Sequence, residues 1–215
     1  MEIKYLGHSA FSLKTKDARL VTDPFSPKMV GLKFPKIEAD IVTVSHQHED
    51  HNQTQLIAGA PLVIDWPGQF EKNGVRISGY RSFHDDKQGG ERGEVILYKI
   101  EADGIAFLHC SDLGMIPDDA FIDQIGDVDV LAVPVGGYYT INADQSALLI
   151  KKIEPAIVIP MHYRVNQTQL SQLDPVEVFL KKMGVETTVP TPKLVLKKED
   201  LLDQEMRVVV MEITS

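Results

Sequence analysis

The chain has 215 residues, of which 43% are apolar and 25% charged, with a formal net charge of -9; these values suit one folded domain with a substantial core and exclude a disordered or fibrous chain. The acidic balance argues against nucleic acid as a partner, because phosphate neutralisation needs clustered lysine and arginine. The only cysteine, Cys110, cannot close an internal disulfide, the amino terminus lacks the pattern of a signal peptide, and no apolar run reaches membrane-spanning length, so the expectation is a cytoplasmic protein without membrane association.

The first elements alternate. Ile3 and Tyr5, then Ala10 to Lys14, then Ala18 to Thr22 predict a meander of short antiparallel strands that ends at Asp23-Pro24, where proline interrupts a regular strand. Met29 to Lys36 reads as a loop punctuated by glycine and proline, and Ile41 to Ser45 as a short buried strand. Gln53 to Ala58 is expected to form a short helix, Pro61 to Asp65 a strand, Gly68 to Lys72 a turn with a helical piece, and Gly74 to Tyr80 a half-buried strand. The stretch Asp86 to Gly93, rich in glycine and charge, reads as a mobile loop. A hairpin follows, with strands at Val95 to Ile100 and Ile105 to Leu108 around the Asp103-Gly104 turn.

From there the period changes. Pro117 to Asp123 carries a helix-start signature, Asp129 to Val135 and Ala156 to Pro160 are buried strands, and Asp144 to Ile153 is a helix. Asp174 to Gly184 has an aspartate cap, a first-turn proline and a closing glycine, and Met206 to Ile213 reads as the last strand. No repeat, low-complexity tract or linker interrupts the chain, so residues 1–215 are expected to form a single domain of two packed sheets with helices outside.

His46-Gln47-His48-Glu49-Asp50-His51 concentrates three imidazoles and two carboxylates directly after a predicted strand. Imidazole and carboxylate are the nitrogen and oxygen donors of zinc and its first-row neighbours. Asp23, His84, Asp112 and His162 also follow predicted strands, and strand ends in a layered fold share an edge. His46, His48 and His84 can make one three-histidine site, and Asp50, His51 and His162 a second. Asp112 can bridge them. Gln47 and Glu49 read as outward-facing spacers.

These residues carry a resemblance. The His-x-His-x-Asp-His pattern at 46 to 51, with His84, Asp112 and His162 in order, resembles the metallo-β-lactamase superfamily over essentially the whole chain. Leu6 to Phe11, Thr22-Asp23-Pro24, Ser111-Asp112, Pro134 to Gly137 and Pro160 to Tyr163 look like its small metal-dependent hydrolases related to the ascorbate-6-phosphate lactonases. The resemblance implies an α/β fold, an αββα four-layer sandwich of two mixed sheets flanked by helices, with the metals at one sheet edge. Members that destroy penicillins typically have cysteine where Asp112 stands, and di-iron members an acidic residue at the position of His48; both departures favour another hydrolytic reaction.

The expected cofactors are two divalent metal ions, zinc first, with manganese, iron or nickel also compatible with the donor set. The expected activity is hydrolysis of a small ester, lactone or phosphorylated metabolite by a metal-bridged hydroxide. The alternative is a nuclease or cyclic-nucleotide phosphodiesterase on the same fold. Asp50 is expected to bind metal and orient the nucleophile, and His109 to act as general acid or as a support to the ligands, with a ligand or a structural core histidine as the alternatives. Asp23 could orient an imidazole or merely turn the chain, and His8 could project toward the same edge, although a satisfied turn histidine is the more frequent outcome. Tyr138, Tyr139, Thr140, Tyr163, Arg164 and the Lys87 to Arg92 loop are candidates for substrate contact, with Lys87, Arg92 and Arg164 the cations for a phosphate. Cys110 is expected to pack as a small hydrophobe, and a homo-oligomer is left open.

Overall fold

The computed structural model describes residues 1–186, 188–202 and 205–214. The opening segment folds as the predicted antiparallel meander of β1 (Glu2–Gly7), β2 (Ala10–Lys14) and β3 (Arg19–Thr22). Within the stretch that reads as loop, Ser26 caps a short helix, α1 (Pro27–Val30), by accepting from the Met29 N–H. Next come β4 (Ile37–Glu38) and β5 (Ile41–Thr43). The helix expected from Gln53 shrinks to one 3-10 turn, Thr54–Leu56, because the following residues, β6 (Ile57–Ala58), pair in parallel with β4. β7 (Leu62–Ile64) then returns beside β5.

The turn expected at Gly68 is instead a strand, β8 (Gly68–Lys72), hairpinned to β9 (Val75–Phe83). The cause is Asn73-Gly74, whose φ angles of 50° and 69° are those of the two-residue hairpin turn that Asn-Gly favours. β10 (Glu94–Ala102) and β11 (Ile105–His109) form the predicted hairpin. α2 (Asp119–Ile125) starts at its Asp118 cap, β12 (Val130–Pro134) follows, and α3 (Ala143–Ile153) opens with an Asn142/Gln145 capping box.

After β13 (Ile157–Met161) comes α4 (Val176–Lys182). Asp174 does not cap that helix, because its backbone is engaged with Gly136 and Arg164; Pro175 holds the cap position without a side-chain bond. β14 (Leu194–Val195) adds to the edge of the first sheet. The long last strand is also reduced. β15 (Arg207–Val208) pairs with β13, after which the tail leaves that sheet for bridges with Thr191 and Tyr5.

The six-stranded sheet runs β14-β1-β2-β3-β5-β7 and the seven-stranded sheet β15-β13-β12-β11-β10-β9-β8; both are mixed. Alternation along each strand of the first sheet assigns its two faces. Leu20 and Ile41 enter the core between the sheets, whereas Val21 and Val42 face an outer cluster with Val30, Leu32, Ala39 and Ile57. On the far side, α3 rests on β12, with Ser146 Oγ donating to the Pro134 carbonyl at 2.7 Å, and α2 and α4 pack beside it. The layers are therefore αββα, thin over the first sheet and substantial over the second. No described helix is long and apolar enough to cross a membrane.

Two contacts tie the sheets face to face. Phe11 and Phe107 meet edge to face with centroids 5.7 Å apart. The Tyr98 hydroxyl crosses from the second sheet to the Val44 and Ile64 carbonyls of the first, at 3.1 and 3.0 Å. Tyr98→Phe removes that donor without changing the ring, and the expected result is about 1–2 kcal/mol of lost stability. Urea unfolding should show a lower midpoint at unchanged slope.

Candidate metal centre

β1, β3 and β5 run in one direction in the first sheet, as do β9, β11 and β13 in the second. Each delivers a titratable side chain just beyond its carboxyl end: His8, Asp23, the His46 to His51 loop, His84, Asp112 and His162. Several of these exits turn through left-handed backbone, with φ of 55° at His8, 39° at Asp23, 42° at Ser111 and 52° at His162. Such conformations cost of order 1–3 kcal/mol each for residues other than glycine, and they persist where surrounding contacts impose them. Here the His8 carbonyl, for example, accepts from the Tyr5 hydroxyl and from the His162 N–H.

The predicted side chains converge in two groups. His46, His48 and His84 form one, with ring centroids 4.5, 4.9 and 5.2 Å apart. Asp50, His51 and His162 form the other, together with His8. Asp112 lies between them, its Oδ2 at 3.2 Å from His51 Nε2, 3.2 Å from His162 Nε2 and 3.3 Å from His84 Nε2. His48 is exposed while the other members are buried or nearly so, so solvent reaches the site from that side; Gln47 and Glu49 point outward as expected. The loop bends through His48, and this turn brings His46 and His48 together.

His8 is the residue underrated by sequence reasoning. Its Nε2 lies 3.1 Å from Asp50 Oδ2 and 3.2 Å from His51 Nε2, well inside the cluster. The signal was present: His8 stands to β1 as the other site residues stand to their strands. Ser45 and Ser111 were also overlooked, each a small hydroxyl residue immediately before a candidate ligand.

Those serines explain how the imidazoles are oriented. Buried Asp23 accepts from Ser45 N at 2.8 Å, Ser45 Oγ at 2.6 Å, Ser111 Oγ at 2.5 Å and His51 Nδ1 at 2.9 Å. Because the Ser45 hydroxyl donates to Asp23, it must accept from His46 Nδ1, 2.9 Å away. Both rings therefore carry a proton on Nδ1 and turn Nε2 toward the site, where His46 presents a lone pair and His51 does so once its second proton leaves. His46 Nε2 is buried with no hydrogen-bond partner. An orphaned buried acceptor beside carboxylates and other lone pairs is what a bound cation satisfies, so the donor set fits a metal. His84 Nδ1 and His162 Nδ1 lack such supports.

The charges agree with this reading. Burial depresses the His46 imidazole to about 3, with the His51 charge adding to the effect. Burial likewise depresses His8 to about 4, with His162 contributing. Burial and His84 lower His48. Burial opposes ionisation of Asp112, but His162 and His51 hold its carboxyl well below the usual range, and His51 does the same for Asp50. Burial disfavours the charged form of His51 too, yet Asp112 and Asp50 raise its pKa well above the ordinary value. With protein groups alone, a proton on His51 supplies positive charge that a divalent ion would otherwise bring.

His109 is fully buried and in neither group. Its Nε2 meets the Ser9 carbonyl at 2.7 Å, and Ser9 Oγ in turn lies 3.4 Å from Asp112 Oδ1. Cys110 packs in the core, where burial pushes its thiol up, as a small hydrophobe would. Two glycines permit close approach around the candidate ligands. A Cβ on Gly114 would meet His84 C and Asp85 N at 2.2 Å, and one on Gly136 would meet the His162 carbonyl oxygen at 2.2 Å. Among the proposed substrate contacts, Tyr163 is buried against Tyr5, whereas Tyr138 and Arg164 are exposed. A groove of about 930 Å³ opens at the opposite end of the sandwich, lined by Asp127, Lys151, Ala156 and Lys198, away from these groups.

An αββα sandwich with imidazoles and carboxylates gathered at one strand edge defines a metal-binding protein of the β-lactamase type. Residues 2–162 match the family described as the beta-lactamase superfamily domain, and the chain belongs to that family. A solved structure from Thermotoga maritima, described as a candidate zinc-dependent hydrolase of the metallo-beta-lactamase superfamily, is 35% identical, with 98% of this chain and 97% of that one covered at a TM-score of 0.78. A UPF0173 metal-dependent hydrolase of Thermococcus onnurineus is 27% identical, covering 94% of this chain and 99% of its own. Another from Thermoplasma acidophilum is 29% identical, covering 81% and 88%.

The depressed histidines dictate how the metal-free protein responds to acid. His8 and His46 are neutral when folded, to about 4 and about 3, whereas in the unfolded chain they protonate near the ordinary value of about 6.5. Below that value the unfolded state binds more protons, so stability falls with pH across this window. His51 has the opposite sign: its contribution is complete below about 6.5 and is lost as pH rises through its raised folded pKa. Thermal melting of metal-free protein should therefore decline between pH 6.5 and 4, and His8→Gln should flatten the decline.

Proposed function

We propose that the protein is a metal-dependent hydrolase whose site holds two divalent ions and acts on a small ester, lactone or phosphorylated metabolite. In this reading His46, His48 and His84 hold one ion, and Asp50, His51 and His162 the other, with Asp112 shared between them. The observation that carries it is the position of Asp112 Oδ2, within 3.3 Å of imidazole nitrogens from both groups. Likeness to a T. maritima protein described as zinc-dependent supports zinc as the first metal to test, and the nitrogen and oxygen donors also accept manganese, iron or nickel. Bound divalent ions would supply an acidified water and a positive pole for the scissile oxygen.

The chain's own groups supply the rest. Asp50, kept ionised by His51 and the His8 hydrogen bond, can accept a proton from the attacking water and orient it. Asp23 fixes the His46 and His51 tautomers so that lone pairs face the site. His109 is better suited to hold the Ser9 turn beside Asp112 than to donate protons to a substrate, because it is enclosed and bonded to a carbonyl. The net charge of -9 favours a small-molecule substrate over nucleic acid, and the exposed His48 gives solvent access to the site.

The test combines elemental analysis with a panel of esters, lactones and phosphodiesters, after reconstitution with each metal. His46→Ala combined with His48→Ala should remove at least about half of the bound metal and lower turnover by at least about a hundredfold. Unchanged metal content and turnover in that variant would sink the assignment. Cleavage confined to phosphodiesters would move the protein to the phosphodiesterase reading.

A further inference from the structure

The loop from Asp85 to Gly93 is built around a buried carboxylate. Asp85 Oδ1 accepts from Lys87 N at 2.8 Å and Gly89 N at 2.9 Å, and Oδ2 from Glu91 N at 2.9 Å and Arg92 N at 2.7 Å. Burial opposes ionisation, but these backbone donors hold the carboxyl down at about 2. The loop closes on the candidate ligand beside it, since His84 N donates to the Gly93 carbonyl at 3.0 Å. Neighbouring loops are stitched to the same place: Gly114 N to the Phe83 carbonyl at 2.9 Å and Ile141 N to the Leu113 carbonyl at 2.8 Å. The loops after β9, β11 and β12 thus form one rim beside His84 and Asp112.

Across that rim the Arg92 guanidinium lies over the Tyr139 ring, 5.8 Å from its centroid. The side chain is 33% exposed, and its only described carboxylate neighbour, Glu91, is 4.0 Å away. Glu91 is also engaged by Lys87, which removes that lysine as a free cation. Arg164 faces a different groove, lined by Asn166, Gln167, Pro175 and Glu177. Of the three candidate cations, Arg92 combines a backbone held by Asp85 with a guanidinium placed over Tyr139 on the rim of the site, with donors left to use. A planar fork of N–H donors placed over an aromatic ring is suited to a carboxylate or phosphate.

We infer that Arg92 is a specificity-determining residue that binds an anionic group of the substrate, carboxylate or phosphate, remote from the scissile bond. Asp85 and Tyr139 are its positioning residues. The inference deepens the hydrolase reading and rests on it for the word substrate, but the anion contact is measurable without turnover.

The experiment is calorimetric titration of metal-loaded wild type, Arg92→Ala and Arg92→Lys with glutarate, glycerol 3-phosphate and acetate, with metal content and thermal melting recorded for each protein. Arg92→Ala should weaken glutarate or glycerol 3-phosphate by at least about tenfold while leaving acetate, which has no second polar end to offer Arg92, within about twofold. The anion that loses more identifies the chemistry, and Arg92→Lys should fall between wild type and alanine because an ammonium lacks the fork. Equal affinity of wild type and Arg92→Ala for both larger anions would overturn the inference. So would a parallel loss for acetate, which would place the effect at the metals. Absence of hydrolysis across the substrate panel, with the Arg92 discrimination intact, would bring down the hydrolase reading and keep the anion site.

Discussion

The Asp23 carboxylate, sealed between the sheets, is the point on which the candidate site depends. It gathers donors from the β5 exit through Ser45, from the β11 exit through Ser111, and from His51 in the loop that follows β5. Alone, a buried carboxylate costs several kcal/mol of desolvation. Surrounded by these donors, its pKa drops to about 2, although burial pulls the other way and His51 must offset it. The same bonds that make its burial tolerable also choose the protonated nitrogen of His46 and His51. Folding and ligand orientation are thus one network: the anion that organises the strand ends sets the lone pairs that face inward.

Topology explains why such a network is possible. Antiparallel pairs at one side of each sheet and parallel pairs at the other leave alternating strands pointing the same way, so their exits share a rim. The left-handed turns at His8, Asp23, Ser111 and His162 bring the chain off each strand abruptly, keeping the side chains at that rim. Hydrophobic burial between the sheets supplies the surplus stability against which this strain is held. Helices contribute to the layers but provide none of the clustered ligands.

The layered α/β fold was legible because buried strands and capped helices carry strong local patterns, and the His46 to His51 cluster announced metal chemistry on its own. What sequence reading missed is instructive. Gly68 to Lys72 has no clear alternation, and only its pairing with β9 across Asn73-Gly74 makes it a strand. The tail from Met206 is continuous in hydrophobicity but divides between two sheets, a choice made by available edges rather than by its residues. His8 looked ordinary because its partners, Asp50 and His51, are more than forty positions away. The Asp86 to Gly93 stretch read as mobile because glycine and charge dominate it, yet one preceding carboxylate organises its backbone.

Gly114 and Gly136 carry no donor, charge or nucleophile in a side chain, yet each leaves room for the backbone of a different candidate ligand, His84 and His162. A side chain at either position would act as a wedge, displacing an imidazole that is distant in sequence. In a survey of inactive variants, these two positions would look indistinguishable from ligands. Loss of activity at a residue of this site is thus no licence to give it a chemical role, and bound metal per molecule, measured for variants that still fold, cannot separate a missing donor from a donor pushed aside. Donor chemistry does: at a ligand a replacement that restores a donor can restore the metal, whereas at Gly114 or Gly136 any residue with a Cβ does the damage, whatever its side chain offers.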